Sequence, residues 1–404
     1  MAQTLSRPAD SYNPLYLLAS LGAGGLSVTF FMYLMFWIPH PGQPVPVFED
    51  IARALTSGNV AMQVSVIIAL AGIAVFAVMN LTSLVWNLRA LSAFKRTQAY
   101  ETLTKTNAQS SLLAAPLAAA MSINGMFIVG LVFVPGLWSV VEYLFPLAMV
   151  AFLALGIWAL RLIGDYLGRI LSQPGAFDLK AHNSFAQMLP AFALSMIGVG
   201  LSAPAAMSTN QSVVGVALIL SSFFAVAALL YAAFAGLTAV SAILQHGTAK
   251  EAAPTLLILV PLMTVLGILF LRQNHGLHTQ FDSHVTAGET MMMLGRMLAV
   301  QVSFLLLGLA VLKRLGYFRD FVFGRKTSPG SYALVCPGVA LSVMLHFFIN
   351  KGLVGAGVID KFSAAYWALT ALALLSQILM IALVLRLNRQ HFRAVPQGSA
   401  LPAE

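Results

Sequence analysis

Cys336 is the only cysteine in the chain and stands directly before Pro337, inside an apolar run over 331–348 that is long enough to cross a bilayer. A thiol there has two readings. It is either a pore-facing group open to redox or covalent chemistry, or a small buried hydrophobe. Reactivity would require a cationic neighbour or a helix N-terminus to stabilise the thiolate. His346 lies nine residues beyond Pro337. Protonated, it would attract an anion or pass a proton; neutral, it is a hydrogen-bonding core residue. Arg296 and Glu142 also fall inside apolar runs. Each is either part of an anion pathway or a structural charge that pairs or snorkels, and Arg296 also suits a subunit contact. His275, His278, Asp282 and His284 fall in a stretch expected to be an external loop. The spacing His-x2-His-x5-His matches no closed zinc site, so these are weak metal candidates and a solvated loop is the default. No phosphate-binding loop, nucleophile elbow, HExxH or intramembrane carboxylate pair is present, and no cofactor is expected.

The elements that must position these groups are membrane helices. Of 404 residues 59% are hydrophobic and only 9% charged, and mean hydropathy is +0.86. A soluble domain would carry about a quarter charged residues. The polar N-terminus and the length of the first apolar run argue against a secretory signal. A single cysteine excludes an internal disulfide and a multi-thiolate metal site. Apolar runs predict ten spans over 14–38, 60–88, 110–134, 137–163, 184–203, 213–243, 254–271, 291–312, 331–350 and 362–385, in one integral membrane domain with a short tail over 386–404.

Lysine and arginine orient these spans. Seventeen fall on the side of the termini, among them Arg89, Lys105, Arg169, Lys250, Arg319, Lys326 and Arg386. Four fall on the other, Arg53, Arg272, Lys351 and Lys361, and Arg296 is left inside the eighth span. The positive-inside rule then puts both termini in the cytoplasm, and the net charge of +9 becomes a topology signal rather than a nucleic-acid footprint.

The odd spans repeat. Ser110, Ser184, Thr255 and Ser331 each precede a proline by six positions, at Pro116, Pro190, Pro261 and Pro337, and Ala119, Ala193, Thr264 and Ala340 follow three later. The first span lacks the proline but has Gly22, Gly24, Gly25 and Ser27 in register. Proline bends a helix, and in hydrocarbon the freed carbonyl must be satisfied by a neighbour or a wet cavity. The pattern predicts five hairpins, each with a bent, small-residue inner helix and a straighter outer one facing lipid, around a central pore. Expected pore-lining groups are Ser20, Ser27, Ser122, Asn124, Ser195, Thr264 and Ser342.

Ten spans, cytoplasmic termini and bent odd helices resemble the TehA-like family, which covers tellurite-resistance/dicarboxylate transporter proteins and the plant slow anion channels. Tyr332-Ala333-Leu334-Val335-Cys336-Pro337 is similar to the family's ninth-helix pattern of aromatics followed by Phe-Pro. The resemblance implies five hairpins around a pore, a homotrimer, and conduction of small anions past a phenylalanine plug. Cys336 takes the plug position here, so Phe30, Phe127 and Phe347 are candidate substitute gates. The cysteine also resembles TsoY-type membrane proteins, a related group with selenocysteine-containing members.

The expected function is transmembrane passage of small anions, by channel or facilitator, in a bacterial inner membrane, and the protein is not expected to be an enzyme. Two alternatives stand beside it. One is a proton-coupled exporter of a dicarboxylate or chalcogen oxyanion that uses His346. The other is a thiol protein acting on sulfur or selenium species through Cys336.

Overall fold

The computed structural model describes residues 8–178 and 184–392. Among them ten helices are long and apolar enough to cross a membrane, and there is no strand. They are α1 (Leu17–Trp37), α2 (Val60–Phe94), α3 (Ala114–Phe133), α4 (Val141–Ser172), α5 (Leu189–Leu201), α6 (Gln211–His246), α7 (Leu259–Gln280), α8 (Ala287–Arg314), α9 (Val335–Phe347) and α10 (Ala364–Phe392). The protein is an all-α polytopic membrane protein. Arg7, Lys180 and Arg393, counted above for orientation, lie outside the described residues, as does the tail beyond Phe392.

Odd and even helices differ in what they bury. Between 61% and 94% of the most apolar window of each odd span is inside the protein, against 17% to 39% for the even spans. The inner helices form a closed ring, with α1 on α3, α3 on α5, α5 on α7, α7 on α9 and α9 back on α1. Each outer helix packs on its own inner partner and on the next inner helix round. Leu, Ile, Val and Phe side chains on the even helices, such as Ile219, Leu230, Leu237 and Leu306, face outward, where lipid replaces water as solvent.

The expected bends take a specific form. Every inner helix is led in by a 3₁₀ turn: Pro14–Tyr16, Asn107–Leu113, Phe185–Met188, Lys250–Leu257 and Pro329–Leu334. The chain changes from 3₁₀ to α one or two residues before the registered proline, which is the second residue of α5 and the third of α3, α7 and α9. The first N–H groups of an α-helix have no intrahelical acceptor, so proline forfeits little there. The prolines therefore mark a change of helix type near one end of the membrane rather than a kink in mid-span. The five lead-in turns also touch in cyclic order and close a second, tighter ring, with buried Tyr16, Leu113, Met188, Leu256 and Tyr332 among its residues.

Where the ring closes, α1 and α9 approach through Gly22 and Gly25. A Cβ at residue 25 would stand 2.7 Å from Val339 Cγ1, so no larger residue fits that seam without movement.

Several boundaries differ from expectation, the second span running to Phe94 and the fourth to Ser172. The seventh span does not stop at Leu271: α7 continues to Gln280, because helix propensity persists after hydropathy falls at Arg272. The chain after Leu385 is also helical as far as Phe392, so the part of the expected tail that the structure describes belongs to α10. There Arg386 donates to the backbone carbonyls of Val322 and Phe323.

Candidate functional site

The inner ring encloses a cavity of about 500 Å³. Its lining comes from all five inner helices, with Phe145 and Phe152 of α4 and Thr290 of α8 at the margins. On α9 the lining residues are Cys336, Val339, Ala340, Val343, Phe347 and Lys351. That spacing is one stripe of a helix with about 3.6 residues per turn. The same stripe on α5 is Phe192, Met196, Val199 and Gly200, with Ala203 just beyond the helix end.

The cavity reaches the end opposite the described chain ends, where Pro44, Val45 and Met207 join its lining. At the other end its deepest residues are Leu21, Gly22, Met121, Pro261 and Cys336. No residue of the five 3₁₀ turns lines it. Among the described residues the space ends above the packed ring of 3₁₀ turns, rather than forming the continuous passage expected from the sequence.

The candidate residues divide accordingly. Cys336 faces the floor and is 9% exposed. Phe347 lines the upper wall, edge-on to Phe36 with centroids 5.3 Å apart. Phe127 lines the margin and stacks on Phe145 at 6.1 Å. Asn124 and Thr264 also line the cavity, but their donors are engaged. Asn124 Nδ2 donates to Ala120 O at 3.0 Å, and Thr264 Oγ1 donates to Ala340 O at 2.9 Å while accepting from Gln301 of α8.

The other candidates lie off the cavity. Phe30 packs on Gly72 and stacks on Phe76 at 5.9 Å, which places it between α1 and α2. Ser122 and Ser195 donate to their own helices, at Ala118 O (3.0 Å) and Phe192 O (2.8 Å). Ser20 donates to Asn80 O at 3.0 Å, and Ser27 and Ser342 are buried against neighbouring helices with no protein partner. Ser342 is six residues past Cys336, roughly 240° round the helix, and so on its far side. Pro116, Pro190 and Pro337 are buried outside the lining, and only Pro261 reaches it.

His346 is fully buried behind the wall, against Tyr33, Phe36 and Trp37 with centroids 6.2 to 6.4 Å away. Neither ring nitrogen has a protein hydrogen-bond partner. Arg296 is exposed on the outer face of α8 and forms no ion pair among the described residues. Glu142 does not pair with it. Its carboxylate accepts from Ser208 Oγ (2.6 Å), Thr209 N (2.6 Å) and Thr209 Oγ1 (3.0 Å), which ties α4 to the connection between α5 and α6.

His275 and His278 are not in a loop. They stand on the last turns of α7 and line the mouth. His278 and His284 rings lie 5.2 Å apart, and His278 Nδ1 is 3.1 Å from Ser283 O. No cluster of three or more His, Cys, Asp or Glu able to hold a metal occurs among the described residues.

The feature sequence reasoning missed is that Arg272 and Lys351 line the same cavity. Both counted only as two of the few positive charges on that side of the membrane. In the structure both line the cavity together with His275 and His278, and no Asp or Glu does. Arg272 Nη1 donates to Val199 O at 2.7 Å, and neither Arg272 nor Lys351 forms an ion pair among the described residues. Lys351 sits in a π-helical continuation of α9, Phe348–Val354, and such turns change which face a side chain takes. Lys361, in the turn before α10, is pushed below its ordinary lysine value by burial and by the charge of Lys351. The mouth is thus a region of unneutralised positive charge. A signal was available: Arg272 lies on the Pro261-Thr264-Val265-Ile268 stripe, one turn past Ile268 and directly after the apolar run ends at Leu271.

Compared with protein-family models, curated proteins and solved structures, the chain matches none.

Proposed function

We propose that the protein carries small anions across the membrane through the central cavity. Ten apolar helices around a cavity form the architecture of a membrane transporter or channel. What supports an anion as cargo is the mouth, where Arg272, His275, His278 and Lys351 converge and no carboxylate lines the wall. Positive charge in a low-dielectric funnel raises the local anion concentration and repels metal cations. The packed floor favours a facilitative carrier or gated channel over a permanently open one, because passage requires the 3₁₀ ring to part. In this reading the termini are cytoplasmic, the mouth faces the outside of a bacterial inner membrane, and the subunits form a trimer as in the TehA-like family that the sequence resembles.

Of the alternatives, thiol chemistry keeps one supporting observation, the position of Cys336 at the cavity floor. Proton coupling through His346 has none, since that ring lies behind the wall.

The test is flux in proteoliposomes. Chloride and nitrate entry should exceed that of empty vesicles. Neutralising Arg272 and Lys351 together, to Gln, should lower it about tenfold, the effect of roughly 1.4 kcal/mol of lost attraction. No flux above empty vesicles would overturn the proposal.

A further inference from the structure

Polar groups are distributed unevenly along the cavity. All of its cationic side chains are at the mouth, and below them the wall is Met, Phe, Leu, Val and Ile. The two neutral polar side chains lower down have their donors occupied, Asn124 on Ala120 O and, more weakly, on Met196 Sδ, and Thr264 on Ala340 O. Ser122 and Ser195 turn back to their own helices. An anion moved below the mouth would lose its hydration and find no free donor but the weak Cys336 thiol, and unpaired burial of charge is strongly unfavourable. While the floor is closed, the charge is therefore held at the mouth. The space beneath, in the size range of small-molecule sites, offers apolar contact alone.

We propose that this site binds an amphiphilic organic monoanion, its charged group held by Arg272 and Lys351 and its apolar body extending along the α9 stripe toward Cys336. This rests on the reading of the cavity as an anion pathway and names the class of anion. A dicarboxylate fits poorly, because its second carboxylate would lie where no free N–H or O–H points. An inorganic oxyanion would leave the lower cavity unfilled.

The probes are ethane-, butane- and hexanesulfonate, with hexyltrimethylammonium as the cation of matching tail. Binding is read as a saturable rise in melting temperature of the full chain in lipid nanodiscs. Affinity should increase about fourfold per added methylene. Hexyltrimethylammonium should give no saturable shift, which separates the site from partition into lipid. Arg272→Gln should weaken hexanesulfonate about tenfold, and Ile128→Trp, which fills the wall, should flatten the chain-length dependence. Equal affinity across the sulfonates, or equal shifts from the anion and the cation, would overturn the proposal, and both are measurable on the unmutated protein. Nitrate flux without chain-length dependence would refute the amphiphile site and leave anion transport standing. Tail-dependent binding without any anion flux would do the reverse.

Discussion

Gly22 of α1 lies against Val335 of α9, so that a Cβ at residue 22 would come within 2.8 Å of Val335 Cγ1. This contact joins the first inner helix to the last and closes the ring around the cavity. It also stands at the level of the cavity floor. A larger residue at 22 has to push apart either the seam or the packing beneath it. Gly22→Val should cost about 1–3 kcal/mol, the usual penalty for overpacking a tight interior. The measurement is denaturant or thermal unfolding in mild detergent. An unchanged midpoint would show that α1 and α9 are not in close contact.

Cys336 faces the floor, where side-chain volume and thiol chemistry make opposite predictions. On the pore-geometry reading, Cys336→Ser keeps anion flux near the unmutated level, while Cys336→Phe lowers it severalfold by filling the floor. Loss of activity with Ser, with sulfur or selenium species as substrate, would instead establish thiol chemistry. Flux in proteoliposomes bearing each variant decides between them.

His346 is enclosed by aromatic rings with neither nitrogen hydrogen-bonded to protein. A buried polar group in that state lowers stability, by about 1–3 kcal/mol in typical cases. His346→Leu should therefore melt at the same temperature or higher, and His346→Gln should leave flux and its response to a proton gradient unchanged. Collapse of gradient-driven uptake in the Gln variant would restore the proton-carrier reading.

Asp320 is the acidic hub at the end of the molecule that carries the termini. It accepts from Lys250 Nζ at 2.8 Å and Arg319 Nε at 3.0 Å, with Lys326 Nζ at 3.9 Å. Hydrogen bonds from Lys250 and Arg319 pull its carboxyl from the ordinary 3.8 down to about 2. The folded state thus holds the charged form more tightly than the unfolded chain does. The stabilisation is complete above the unfolded value of 3.8 and disappears as pH falls through about 2. Asp320→Asn should lower the melting temperature at about pH 6 and have a markedly smaller effect at about pH 2. An equal drop at both pH values would show that the ion pairs are not what Asp320 contributes.

The architecture was largely legible in the chain. Runs of apolar residues must become helices in hydrocarbon, because every backbone N–H and C=O needs an internal partner there. Their alternation between Pro/Gly/Ser-rich and Leu/Val/Phe-rich character marks inner and outer positions for the same reason of close approach. The proline register of Pro116, Pro190, Pro261 and Pro337 marks where four of the five inner helices change from 3₁₀ to α, a local property of a residue without an N–H. What sequence could not settle is which way each side chain turns once five helices close on one another. Ser122, Ser195 and Ser342 look like pore residues in one dimension, yet lie off the cavity, because helix rotation is decided by packing at seams such as Gly22–Val335. Arg272 and Lys351, far apart along the chain, acquire a shared role only when α7 and α9 become neighbours. That the floor is shut is likewise a property of the assembled ring: no single 3₁₀ turn seals anything, and five in contact do.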